Sequence, residues 1–249
     1  MSLSVVQLTD PHVSVYSPVP KASEPDTCEI CHVSRHPDFP RCVSCFRTAG
    51  GVSEPLTLVV PISLYESYSQ LGHWLRRYKD PDGRVTADQQ RRFRNLIAAT
   101  FGRFLASHQS CITETAGRSW DVVTTVPSTT RPPPHPFEEA LGLLPELGPK
   151  VRTVLRPGPG TIGRNSPSDT GYESVEEMNG VRVLLVDDTW TTGSHLQSAA
   201  SALSLAGADV IAAVVVGRVI RTDWSFTDDT WWSEIQQTPF SFDTCCLEQ

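Results

Sequence analysis

The chain has 249 residues, 39% apolar and 20% charged, with 21 basic against 28 acidic side chains and a formal net charge of −7. That composition suits a folded domain of ordinary size with an appendage, and it argues against disorder throughout. An acidic balance disfavours sequence-blind binding to nucleic acid, and no apolar run approaches the roughly 18–20 residues of a membrane span.

Residues 1–27, rich in Pro, Ser and Thr, read as a flexible arm. The opening MSLSVVQLTDPHV has no basic stretch leading into an apolar core, so no secretory leader is expected and the cytoplasm is the expected compartment. Residues 28–50 form a module of another kind. Cys28, Cys31, Cys42 and Cys45 give the spacing C-x2-C-x10-C-x2-C. Two such turns bring four thiolates into a tetrahedron around Zn²⁺, with no ligand position left open, so the metal is expected to be structural. So short a segment cannot hold a core without metal. It is expected to dock on the rest of the chain or on a protein partner, with the ligand pocket largely indifferent to its loss.

Residues 51–220 are expected to form one α/β domain, with a hood over 51–115 and a core over 116–220. LTLVVPI (56–62) reads as a strand, and Leu64, Tyr68, Leu71 and Leu75 recur at the spacing of an amphipathic helix. Thr86 and Gln89 form a capping box before a second helix of about three turns with Phe93, Leu96, Ile97, Phe101, Phe104 and Leu105 on one face. DVVTTVP (121–127) is a strand, PFEEALGLL (136–144) a helix, and VRTVLRP (151–157), VRVLLVDD (181–188) and DVIAAVVVGRVI (209–220) are further strands. Leu196, Ala199, Ala200 and Leu203 mark a helix that Gly207 ends. Strands apolar on both faces, alternating with helices, indicate a parallel sheet covered on two sides. Residues 221–249, with Trp231, Trp232, Phe240 and the pair Cys245-Cys246, read as a tail packed on something else.

The most informative stretch is VRVLLVDDTWTTGSH. A buried strand ends in Asp187 and Asp188, and after two spacers the loop Thr191, Thr192, Gly193, Ser194, His195 opens a helix. Exposed amides at a helix start hold a phosphate, and adjacent carboxylates accept hydrogen bonds from vicinal hydroxyls, which together suits a sugar phosphate. The plainer alternative is an acidic strand end followed by a capped helix. A receiver domain would need about 100 residues after the acidic pair, and only 61 follow Asp188. A haloacid-dehalogenase nucleophile needs D-x-D-x-T, which adjacent aspartates do not supply.

The stretch resembles the phosphoribosyl pyrophosphate (PRPP) signature of type I phosphoribosyltransferases. Together with the four-cysteine segment, it is similar to the ComF family, phosphoribosyltransferase-like proteins associated with DNA uptake. The resemblance implies a type I phosphoribosyltransferase fold with a zinc-ribbon-like module, and transfer of a phosphoribosyl group from PRPP, with Mg²⁺, to an unidentified acceptor. It places ribose contacts on Asp187 and Asp188, assigned as catalytic, and the 5′-phosphate on Thr191 to His195. The candidate pyrophosphate loop is Ser128, Thr129, Thr130 and Arg131. The long connection 155–180 would be a lid, with Arg156 and Arg164 as cations it could bring. Tyr78-Lys79 reverses a Lys-Tyr pair often found in the family. The spacers Thr189 and Trp190 are usually aliphatic there, and VPSTTRPPPHPF stands where an RGFNQ-type motif is expected. A non-catalytic PRPP- or nucleotide-binding accessory protein is the alternative, and a homo-oligomer stays open.

Overall fold

The computed structural model describes residues 3–80, 82–221 and 229–248. Among them are six strands: β1 (Val59–Glu66), β2 (Val122–Thr125), β3 (Leu155–Pro157), β4 (Tyr172–Ser174), β5 (Arg182–Trp190) and β6 (Asp209–Ile220). Four of these form a parallel sheet in the order β1-β6-β5-β2, while β3 and β4 make a separate antiparallel pair. The helices are α1 (Val5–Thr9), α2 (Val43–Ala49), α3 (Gln70–Arg77), α4 (Ala87–Ala116), α5 (Pro136–Leu141), α6 (Ser194–Leu205) and α7 (Asp229–Gln237).

The sheet is covered on both faces, which is why its central strands carry unbroken apolar runs. Leu184, Val186, Val214 and Val216 face a core closed by Leu71, Leu75, Phe101, Phe104 and Phe137 from α3, α4 and α5. Val183, Leu185, Ala213 and Val215 face the opposite core, with Leu196, Ala199 and Leu203 of α6 and all four clustered cysteines. The expected α/β architecture is therefore present. No helix among the described residues is long and apolar enough to cross a membrane.

Several boundaries differ from the sequence expectation, each for a local reason. β1 runs on through Leu64 and Tyr65, which pair with Arg218 and Val219 of β6. Ser69 then caps α3 by accepting the Gly72 amide, leaving Tyr68 in the turn and 96% exposed. The Thr86 capping box forms, and α4 extends for 30 residues until Gly117, at φ 71°, ends it. Of the expected strand 151–157, Val151 makes a single parallel bridge to Val123 of β2, and the last three residues pair antiparallel with β4. The opening segment, read as a flexible arm, contains α1 and a 3-10 turn over Asp10–Val15 and lies against α4. There Tyr16 is buried and shares a 2.6 Å hydrogen bond with Thr100, and Arg103 pairs with Asp10 at 2.6 Å. In the expected tail, residues 222–228 lie outside the described residues. Trp232 enters the cysteine-side core, while Phe242, Cys245 and Cys246 enter the α4-side core.

Candidate functional site

A cavity of about 480 Å³ opens at the carboxyl ends of β2 and β5, where open parallel sheets place their ligands. Its walls bring together Asp187 and Asp188, the loop Thr191–His195, the loop Ser128–Arg131, and Tyr78 and Lys79 from the end of α3. The sequence-expected residues of both loops and the acidic pair thus share one space. Tyr78 of the Tyr78-Lys79 pair joins them, as do Tyr172 and His135, which no pattern in the sequence picks out.

The acidic pair divides its labour because successive strand residues point to opposite faces. Leu184 and Val186 face α3 and α4, and Asp188 continues that side. Its carboxylate, 3% exposed, accepts a hydrogen bond from the Tyr78 hydroxyl and pairs with Lys79 Nζ at 2.5 Å. Asp187 continues the α6 side, and its Oδ1 accepts the Asp188 amide at 2.8 Å. Burial pushes the Asp187 carboxyl well above the usual range, the neighbouring Asp188 charge adds to that, and Lys79 works against it. Burial also raises Tyr78 well above an ordinary phenol, so its hydroxyl stays a donor to Asp188.

The phosphate-type loop is shaped by Gly193, which sits at φ 89° as the N-cap of α6. A Cβ there would approach a ring carbon of Trp190 to 2.4 Å. The unusual spacer Trp190 is therefore the buried platform on which the loop rests. Thr192 and Ser194 hydroxyls lie 3.2 Å apart beneath the helix start. We expect Gly193→Ala to cost about 1–3 kcal/mol, through a strained left-handed residue and a forced Trp190 shift. Chemical denaturation measures the loss, and anion affinity of the loop should fall with it; an unchanged denaturation midpoint would refute the platform role.

A hydrogen-bonded chain ties three walls together. The Tyr172 hydroxyl donates to the Pro127 carbonyl at 3.0 Å, so His195 Nδ1–H must donate to the Tyr172 oxygen at 2.8 Å. This fixes His195 with Nε2 unprotonated in the neutral ring, and desolvation holds the ring below its ordinary pKa. The side chain of His195 is thus committed to the wall, and its contribution to an anion would come from its amide. In the other loop, Ser128 Oγ accepts from the amides of Thr130 and Arg131, both at 3.2 Å, which curls the loop around the cavity. His135 is buried beside it, with Nδ1 lacking a hydrogen-bond partner.

The expected lid is built rather than loose. Its ends form the β3–β4 pair, where Arg156 binds Glu173 at 2.9 Å instead of facing the cavity. Farther along, the Ser168 amide donates to Ser198 Oγ at 2.9 Å, and Asp169 accepts Ser201 Oγ at 2.6 Å and the Ser53 amide at 2.9 Å. The Asp169 carboxyl is lowered by these hydroxyl hydrogen bonds, Ser201 first and then Ser53.

On the far side of Trp190 lie the four cysteines, all buried, with sulfurs within 4.8 Å of one another. Cys31 and Cys42 are 3.6 Å apart at sulfur. Four sulfurs this close, with an N-terminal helix start at Cys42 and no disulfide among the described residues, suit a tetrahedral Zn²⁺. The module docks on the core through His32, whose ring nitrogens lie 2.9 and 3.2 Å from the Pro20 and Val59 carbonyls; burial favours the neutral ring, which donates to one of the two. His32 is therefore a clamp and leaves the metal to the sulfurs.

Arg218 joins this centre to the cavity loop. It is 5% exposed on β6, in register with Trp190 and Leu64. One guanidinium nitrogen donates to the Thr191 carbonyl at 2.6 Å and to the Val219 carbonyl at 2.7 Å. Burial works against its charge, but Cys31, Cys42 and Cys45 together hold its pKa above the ordinary value, and Cys31 also hydrogen-bonds it. Arg218 answers the negative charge of the thiolate cluster and anchors the strand end from which the loop springs.

No protein-family model matches the chain, and comparison with curated proteins gives no match.

Proposed function

We propose that the chain binds PRPP in this cavity and transfers its phosphoribosyl group to an acceptor, releasing pyrophosphate, on a type I phosphoribosyltransferase-like fold of the ComF kind. One observation carries the reading: Asp187-Asp188, the Thr191–His195 loop and the Ser128–Arg131 loop line a single cavity large enough for a sugar diphosphate. In this reading the amides at the α6 start hold the 5′-phosphate, and the carboxylates accept the ribose hydroxyls. The C1′–oxygen bond to the diphosphate breaks as the acceptor's bond to C1′ forms. Lys79 and Arg131, both at the cavity wall, stabilise the departing charge. Mg²⁺, for which carboxylate and diphosphate oxygens are suitable donors, would supply further neutralising charge to the diphosphate when bound. The four-cysteine centre is read as structural zinc, outside the cavity lining and linked to its loop through Arg218.

A second reading, binding without turnover, is favoured by one contact. Asp188 is already engaged by Tyr78 and Lys79, so the ribose must displace a partner or share it. The test is pyrophosphate release from PRPP across a panel of nucleophilic acceptors, with Asp187→Asn as the control. Release by the wild type at least about a hundredfold above the variant supports transfer. Saturable PRPP binding with equal background release in both selects the binding reading, and no PRPP binding at all overturns both.

A further inference from the structure

On the opposite face of the sheet from the four-cysteine centre, α4 and the segment 240–248 bring together a second set of metal-binding atoms. His108, Cys111, Cys245 and Glu248 present one nitrogen, two sulfurs and one carboxylate oxygen, all within 4.8 Å of one another. His108 Nδ1 lies 3.7 Å from Cys111 Sγ and 3.3 Å from Glu248 Oε1. Tetrahedral zinc, with bonds of about 2.0–2.3 Å, separates its ligand atoms by roughly 3.3–3.8 Å. The observed spacing is close to that of a filled site.

The histidine is also prepared for the role. Its Nε2 lies 2.9 Å from the Phe242 carbonyl, which can only accept, so Nε2 carries the proton and the neutral ring turns the Nδ1 lone pair toward the cluster. A backbone carbonyl on the second ring nitrogen is the usual support of a metal-bound histidine. Both ligand pairs are spaced i, i+3: His108 and Cys111 on one face of α4, Cys245 and Glu248 across a turn closed by the Glu248 amide and the Cys245 carbonyl at 3.3 Å. The Leu247 amide donates to Cys245 Sγ at 3.4 Å, which holds the sulfur in place within the turn. A cavity of about 210 Å³, bordered by Lys21, Phe104 and Thr244, reaches the Cys245 and Glu248 side of the set. Cys246, 4% exposed in the apolar core, stands outside the set.

We propose that His108, Cys111, Cys245 and Glu248 form a second site for a borderline divalent cation, Zn²⁺ in the first instance, which staples the segment 240–248 to α4. A mixed set of two sulfurs, one nitrogen and one oxygen excludes the hard cations Mg²⁺ and Ca²⁺ as preferred occupants. All four positions come from protein, so the ion holds structure and has no open place for a substrate. It joins residues more than a hundred positions apart and so gives the largest return in chain ordering where the polypeptide leaves the sheet.

Zinc content of the full chain, purified under reducing conditions, tests this by difference. The wild type should hold about one equivalent more than Cys245→Ser, and about one more than Cys42→Ser, the two losses adding in the double variant. That design separates failure of this site from failure of the four-cysteine centre. Glu248→Gln, at a partly exposed position, should raise zinc loss to a competing chelator by at least about tenfold. Backbone amides of 240–248 should exchange faster in the same variant. Equal zinc in the wild type and Cys245→Ser would overturn the proposal. So would an intact mass showing a Cys111–Cys245 disulfide in place of metal.

Discussion

Arg218→Met should be among the most damaging single substitutions in this chain, lowering stability by about 3–5 kcal/mol, the range for removing one partner of a buried charge pair. In a chain of this size that is a fall of at least roughly 6 °C in Tm. The cause is twofold. Four thiolates around Zn²⁺ leave about two negative charges, and Arg218 is the cation buried beside them. The same guanidinium holds the Thr191 and Val219 carbonyls, which would be left without their donor. Arg218→Lys keeps the charge but offers no planar fork, so an intermediate loss is expected. Ligand affinity should fall in both variants, because Thr191 begins the loop that faces the cavity. Cys42→Ser should then weaken ligand binding too, and its cost should not add to that of Arg218→Met. This reverses the expectation from sequence that the pocket is indifferent to the metal module. A wild-type melting temperature for Arg218→Met, or strict additivity with Cys42→Ser, would separate the two sites again.

The reason that link was illegible from sequence lies in register. Arg218 sits in DVIAAVVVGRVI, a single cation in an apolar strand, and nothing within that stretch names its partners. Only the pairing of β1, β5 and β6 places it beside Trp190 and beneath Cys31. Local chemistry, by contrast, was readable. The Thr86 capping box, the Gly207 stop and the two C-x2-C turns each depend on residues a few positions apart, and each is found where expected. The acidic pair and the following loop also form one wall from neighbouring residues. The helix stripe begun at Leu64 failed because β1 competes for those residues through long-range pairing, which a window of ten residues cannot see. For the same reason the second metal cluster was missed. His108-Cys111 and Cys245-Glu248 look like ordinary helix and tail residues until α4 and segment 240–248 meet.

Asp187→Asn should make the protein more stable while weakening the ligand it is proposed to bind. Asp187 is held above its ordinary pKa by burial and by the Asp188 charge, so the native state keeps its proton more tightly than the unfolded chain does. Where the native state binds more protons, stability falls as pH rises. The wild type should therefore lose stability from its ordinary carboxyl range upward until the raised native value is passed. Asparagine does not titrate, keeps an oxygen for the Asp188 amide and relieves the like-charge contact. The variant should match or trail the wild type in acid and exceed it at neutral pH, with about 2–4 °C in Tm for each kcal/mol recovered. Binding should move the other way. Losing an oxygen that accepts from a ribose hydroxyl costs about 1–3 kcal/mol, or roughly 5- to 150-fold in affinity. Paired melting curves at acid and neutral pH, together with PRPP titrations, read both effects. Opposite signs at neutral pH are the mark of a residue kept for its ligand at a cost to the fold. A variant that is less stable at neutral pH would show that Asp187 serves the structure, and undiminished PRPP affinity would remove it from the binding site.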